Sequence, residues 1–122
     1  MRAILSAGLM LTATAALAED RRLDAGEIER LLKRNTVFGE SGGGRFRHYF
    51  AENGKTSLNP PDSPEKVGDW RIDPDADTLE LRWRRGGDWI PVTVYLDGKT
   101  VRMDYRNGPT RTGTVMNARG LE

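Results

Sequence analysis

The sequence predicts a mostly β domain of α+β type, with one short N-terminal helix packed on a twisted antiparallel meander of about seven strands. Three observations carry that expectation. A capped helical period is confined to residues 24–34, the hydrophobic period changes from 3.6 to 2 after Asn35, and turn chemistry recurs about every 10 to 12 residues from there on. Such a meander can close into a small barrel, with Leu79, Leu81, Trp83, Val92, Val94, Val101 and Met103 as core.

The chain begins with a positive Met1-Arg2 start and an uncharged apolar run from Ala3 to Leu17. Ala16-Leu17-Ala18 then places small residues where a signal peptidase needs them. Residues 1–18 are therefore expected to be a signal peptide, and 19–122 a single domain. The apolar run is about 15 residues, short of the roughly 20 that a spanning helix needs, so no membrane span is expected after cleavage.

In the first element of the domain, Asp24 can cap a helix and Glu27 can reach back to complete a capping box. Leu23 and Ile28 stand at the staple positions. Ile28, Leu31 and Leu32 make one apolar stripe, Glu29 can pair with Lys33 across a turn, and Asn35 is a suitable left-handed stop. At about ten residues the helix cannot be stable alone, so its stripe must dock. Phe46, His48 and Phe50 share one face of a strand from Arg45 to Ala51, and Asn53-Gly54 turns it into Lys55–Leu58. Pro60, Pro61 and Pro64 make the next segment a loop. Trp70 and Ile72 restart a strand, and Leu79, Leu81 and Trp83 alternate with Glu80, Arg82 and Arg84. Gly86-Gly87, Asp97-Gly98 and Asn107-Gly108 then separate Trp89–Leu96, Val101–Tyr105 and a polar last strand, Thr110–Met116, suited to an edge or a closing position.

Composition removes several chemistries. The 122 residues hold 19 Lys and Arg against 18 Asp and Glu, and that balance gives no surplus for phosphate neutralisation, so nucleic acid is not an expected partner. With no Cys there is no disulfide, thiolate metal site or Cys nucleophile. Gly39-Glu40-Ser41-Gly42-Gly43 matches the serine nucleophile elbow, but it precedes a strand pattern in a chain too short for that fold, and it reads as a flexible connection. Asp73, Asp75 and Asp77 resemble the start of a calcium loop, yet Pro74 intervenes and the later ligands are missing, so a solvated turn is expected.

Two sets of candidate residues remain. Arg82, Arg84, Arg102 and Arg106 fall on outward positions of successive strands and could bind an acidic partner, against the plainer role of cross-strand pairing. His48, Trp83 and Met103 could line a ligand cavity, although His48 between Phe46 and Phe50 reads more simply as a packed, singly hydrogen-bonded imidazole. No cofactor or metal is expected.

The order Gly26-Glu27-Ile28, Leu31-Leu32, Asn35-Thr36-Val37, Gly39, Tyr49-Phe50, Asn53-Gly54-Lys55, Gly68-Asp69-Trp70-Arg71-Ile72 and Leu79 to Trp83 resembles a family of small exported proteobacterial proteins of unknown function. The resemblance covers residues 23–105. It implies export and a β-rich, lipocalin-like or half-barrel shape, and it carries no activity. Many members have a Cys pair for which the counterparts here are Glu80 and a residue near Ile90 or Pro91, so that cross-link would be missing.

The expectation for function is an exported, non-enzymatic periplasmic or secreted protein that acts as an interaction or inhibitor-like module on another envelope protein. The alternatives are a lipocalin-like carrier of an apolar or amphipathic small molecule and, further off, a hydrolase working with two carboxylates. An enclosed apolar cavity of about 300 Å³ or more would favour the carrier, and a solid core the interaction module.

Overall fold

The computed structural model describes residues 20–41 and 43–117, so the expected signal peptide lies outside the described residues. The elements are β1 (Arg21–Arg22), α1 (Ala25–Leu32), β2 (Asn35–Ser41), β3 (Gly44–Phe50), β4 (Lys55–Asn59), β5 (Lys66–Asp73), β6 (Thr78–Arg82), β7 (Ile90–Asp97), β8 (Thr100–Tyr105) and β9 (Thr110–Asn117). Every pairing is antiparallel. β2 to β9 each pair with the next strand, and β9 pairs back onto β2 from Asn35↔Asn117 to Glu40↔Thr112. The result is a closed eight-stranded barrel. The expected seven strands and the half-barrel are thus corrected: Thr110–Asn117 is the closing strand, and hydrogen bonds on both its sides remove every long edge.

The ninth strand, β1, fills a local gap. β6 reaches only Ile90 to Val92 of β7, and beyond that point Arg21 and Arg22 pair with Leu96 and Tyr95, while the Leu23 N–H donates to the Val94 carbonyl at 2.9 Å. Two arginines carry no strand period, so this element leaves no hydrophobic signal to read.

The alternation that predicts each strand is the alternation that fills the barrel. Val37, Phe46, Phe50, Leu58, Leu79, Leu81, Val92, Val94, Val101 and Met103 all point inward and are buried. The helix closes one end. Asp24 accepts from the Glu27 N–H at 2.9 Å and the Glu27 carboxylate accepts from the Asp24 N–H at 2.9 Å, the capping box the sequence predicts. Ile28 and Leu32 plug the barrel mouth at that end with no surface left exposed, and Glu29 pairs with Lys33 at 3.0 Å on the wet side.

Two details of the helix differ from expectation. It ends at Leu32 rather than Arg34, and Arg34, not Asn35, takes the left-handed conformation with φ 66°. Asn35 is already in β2, where its side-chain amide donates to the Leu31 carbonyl at 2.7 Å and holds the last turn. A further tie comes from the acidic turn between β5 and β6: Asp73 accepts from the Asp75 and Ala76 N–H groups, and Asp77 accepts from the Ala25 N–H at 2.8 Å. Asp77 therefore serves the helix start rather than solvent alone. Replacing Asp24 with Ala removes one acceptor from this end, and we expect a loss of about 1 kcal/mol in urea unfolding. A double variant with Glu27→Ala should fall short of the sum of the single effects, because both act in one box.

Candidate binding site at the barrel mouth

At the end opposite the helix stand the β2–β3 turn, the loop 60–65, the stretch 83–89 and the β8–β9 turn. The described part of the Gly-rich run belongs here: Gly39 and Ser41 lie in β2, Gly44 opens β3, and Ser41 pairs with Gly44, so the serine stands in a strand pairing.

His48 sits in the middle of β3, across from Val37 and Leu58, and is wholly buried. Its ring stacks on Phe50 with centroids 4.2 Å apart and lies 5.8 Å from the Trp83 ring. Neither Nδ1 nor Nε2 has a hydrogen-bond partner among the described residues, so the single hydrogen bond expected is not found. Burial, helped by the charges of Arg111 and Lys66, pushes the imidazole pKa down to about 3, so the ring is neutral at any ordinary pH. A buried, unsatisfied polar group costs a fold about 1–3 kcal/mol, and an apolar residue between Phe46 and Phe50 would avoid that cost.

Above His48 the register turns two cations inward. Lys66 is opposite Leu58 and in phase with Gly68 and Trp70, and its ammonium lies 4.6 Å from the Trp83 ring centroid. Arg111 is opposite Met103 and in phase with Gly113 and Val115, and its guanidinium lies 4.9 Å from the Tyr105 ring and 5.8 Å from that of Phe46. The mouth is therefore an aromatic ring of Phe46, Trp83 and Tyr105 topped by two positive charges. Trp83 just overruns β6, and its indole lies on Gly68, where a Cβ would meet Cε3 at 2.9 Å and collide with the Arg82 carbonyl. Only glycine admits the ring at that point.

The sequence places His48, Trp83 and Met103 on a shared inner surface, and the structure brings His48 and Trp83 together there. Met103 is fully buried in the packed interior. His48, Met103, Val37, Phe50, Leu79, Leu81, Val92, Val94 and Val101 all have no accessible surface, which leaves no water-sized void between them. The interior is solid, and as folded it offers no ligand cavity to line.

The four arginines do not form one stripe. Arg82 forks onto Asp69 at 3.1 Å and stacks 4.4 Å over Trp89, which Arg71, itself paired with Glu80 at 2.7 Å, covers at 4.0 Å. Arg102 pairs with Asp20 at 2.7 Å and stacks 4.0 Å over Tyr95. Trp89 and Tyr95 are six positions apart in an extended chain, about 20 Å, so the two arginines belong to opposite ends of the barrel. Arg84 and Arg106 are exposed near the mouth. Lys66 and Arg111 escaped the sequence reading because charge suggested an outward position. Their phase with Trp70 and Val115 was the signal that could have placed them.

Among the described residues no group of three or more His, Asp or Glu could hold a metal ion, and no helix is long and apolar enough to cross a membrane. Among the described residues two carboxyls have shifted pKa values. Asp69 is lowered by hydrogen bonds from Lys55 and Arg82, and Glu27 by the backbone N–H of Asp24 and by Arg21, which is the wrong direction for a general acid. Comparison with family models, curated proteins and solved structures finds no match for this chain.

Proposed function

We propose that this is an exported, non-enzymatic interaction module of the cell envelope, which meets another envelope protein through the rim of the barrel mouth. The solid interior carries the reading: a carrier of apolar molecules needs a lumen, and here the inward side chains leave no room for one. The rim supplies a contact surface instead. The Pro60–Pro64 loop is stiff and cannot donate ladder hydrogen bonds at three positions, which suits a loop that is presented rather than paired. Arg84, Arg85 and Arg106 stand exposed on the adjoining turns and would steer an acidic partner. The downward shifts of Asp69 and Glu27 run opposite to what a general acid needs, which weighs against the hydrolase alternative.

The test is capture from periplasmic extract with the chain from residue 19 onward as bait, beside native mass spectrometry of the purified protein. A partner retained by the wild type and lost when Arg84, Arg85 and Arg106 are all changed to Glu supports the proposal. A small molecule retained at unit stoichiometry, with no protein captured, overturns it.

A further inference from the structure

We infer that the barrel mouth is a binding site for a carboxylate carried on an apolar stem, with the carboxylate held between Lys66 and Arg111 and hydrogen-bonded by His48 once Trp83 swings outward. This goes beyond the interaction reading and does not depend on it, since the acid can be a free small molecule or the C-terminal carboxylate of a polypeptide.

The argument starts from the imidazole. His48 is fully buried, and both its nitrogens lack partners among the described residues, so it contributes nothing to the fold that Leu or Phe would not contribute better. A polar group kept at that cost, at the foot of a mouth, is a group whose partner comes from outside. Its neighbours define that partner. Lys66 and Arg111 reach over the mouth from opposite sides, on β5 and β9, and both are cationic. Two cations and one neutral N–H suit the two oxygens of a carboxylate, which accept hydrogen bonds and donate none. Phe46, Trp83 and Tyr105 form the wall through which the rest of the ligand must pass, so an apolar stem is favoured.

Trp83 is the movable part. It follows the last residue of β6, it is only half-buried, and Gly86 with φ 78° and Gly87 lie within the connection that follows. The indole covers His48 from 5.8 Å, and no strand pairing holds it there. Rotation of that one side chain exposes the imidazole edge while the sheet stays intact.

The chain has a single His, so its imidazole nitrogen resonances report on this site alone. Hexanoate is titrated into the full barrel, with inorganic phosphate and hexanol as comparators. In a second arm, a tetrapeptide Ala-Ala-Ala-Phe with a free C-terminus is compared with its amide. Hexanoate or the free-acid peptide should shift the His48 resonances saturably in the millimolar range and change Trp fluorescence. Lys66→Gln, at an exposed side chain, should weaken that response about tenfold. Arg111→Lys should retain part of it and Arg111→Gln lose it. A response to hexanoate identifies a free acid as the source, and a response to the peptide alone identifies a polypeptide terminus. No shift with either acid, an equal shift with phosphate or hexanol, or an unchanged response in Lys66→Gln would each overturn the inference, whatever the capture experiment shows.

Discussion

Between pH 6.5 and 4.5 the wild-type barrel is expected to lose about 2 kcal/mol of unfolding free energy, while a His48→Leu variant holds its stability nearly flat across the same window. The sign follows from the depressed pKa. An unfolded imidazole takes up a proton below its ordinary 6.5, but the folded one stays neutral until about 3, so the unfolded state gains at every step down in pH. A full unit is about 1.4 kcal/mol, and the window spans two, the first of them at a reduced slope because the unfolded imidazole is already half protonated at pH 6.5. Below about pH 4.5 the lowered carboxyls of Glu27 and Asp69 add their own losses, because stability gained by a depressed acid disappears as it is protonated. Those losses are common to both proteins, so the difference between them isolates the imidazole. At pH 7 the Leu variant should itself be more stable, by roughly 1–3 kcal/mol, since it removes an unsatisfied polar group from an apolar setting. Urea midpoints at pH 7.0, 5.5 and 4.5 for the two proteins measure both effects. A parallel fall in wild type and variant would show that the imidazole is not the group that titrates.

The second large effect is expected at the seam that closes the barrel. Gly39 of β2 and Gly113 of β9 face each other directly, and a Cβ on Gly39 would run into the Thr112 carbonyl, while one on Gly113 would run into that of Phe38. The obstacles are backbone atoms of a hydrogen-bonded strand, so no side chain can move aside. Gly39→Ala should cost about 3 kcal/mol or more, and Gly39→Val should leave a domain of this size largely unfolded. Gly98→Ala is the control. Its φ of 62° makes it strained, but its Cβ would enter open space, and the loss there should be about 1 kcal/mol. Thermal unfolding followed by circular dichroism separates the two cases, and equal losses at the two positions would refute the argument from close approach.

What could be read from the sequence was whatever repeats locally. Leu79, Leu81, Val92, Val94, Val101 and Met103 reveal their common face by period two, and Asp24 with Glu27 announces a helix start. Closure left no such mark. The β2–β9 pairing joins segments far apart in sequence through Gly39 and Gly113, of which Gly39 reads as part of a connection and Gly113 lies in a polar strand whose partner no alternation names. β1 is two arginines whose pairing is purely backbone, and its place on β7 depends on how far β6 extends. The same limit applied to the mouth. His48 and Trp83 were visible as inner residues, but Lys66 and Arg111 needed the register, since an inward charge at the end of a barrel breaks the rule that charge marks the wet face.

The pairing of Asn35 with Asn117 also sets a clock. The first barrel strand finds its second neighbour only when β9 exists, so the whole stretch from Asn35 to Asn117 must be closed into a loop before the decisive contacts form. Domains dominated by such distant pairings fold in milliseconds to seconds, against microseconds to milliseconds for helical bundles. While the chain is being made, Phe46, Phe50 and Leu58 have partners on their own hairpin, but β2 has one side bare until Thr110 to Asn117 emerge. A chain of this sequence therefore keeps an open, sticky margin along β2 until Thr110 to Asn117 are in place, and their pairing is what ends that vulnerability.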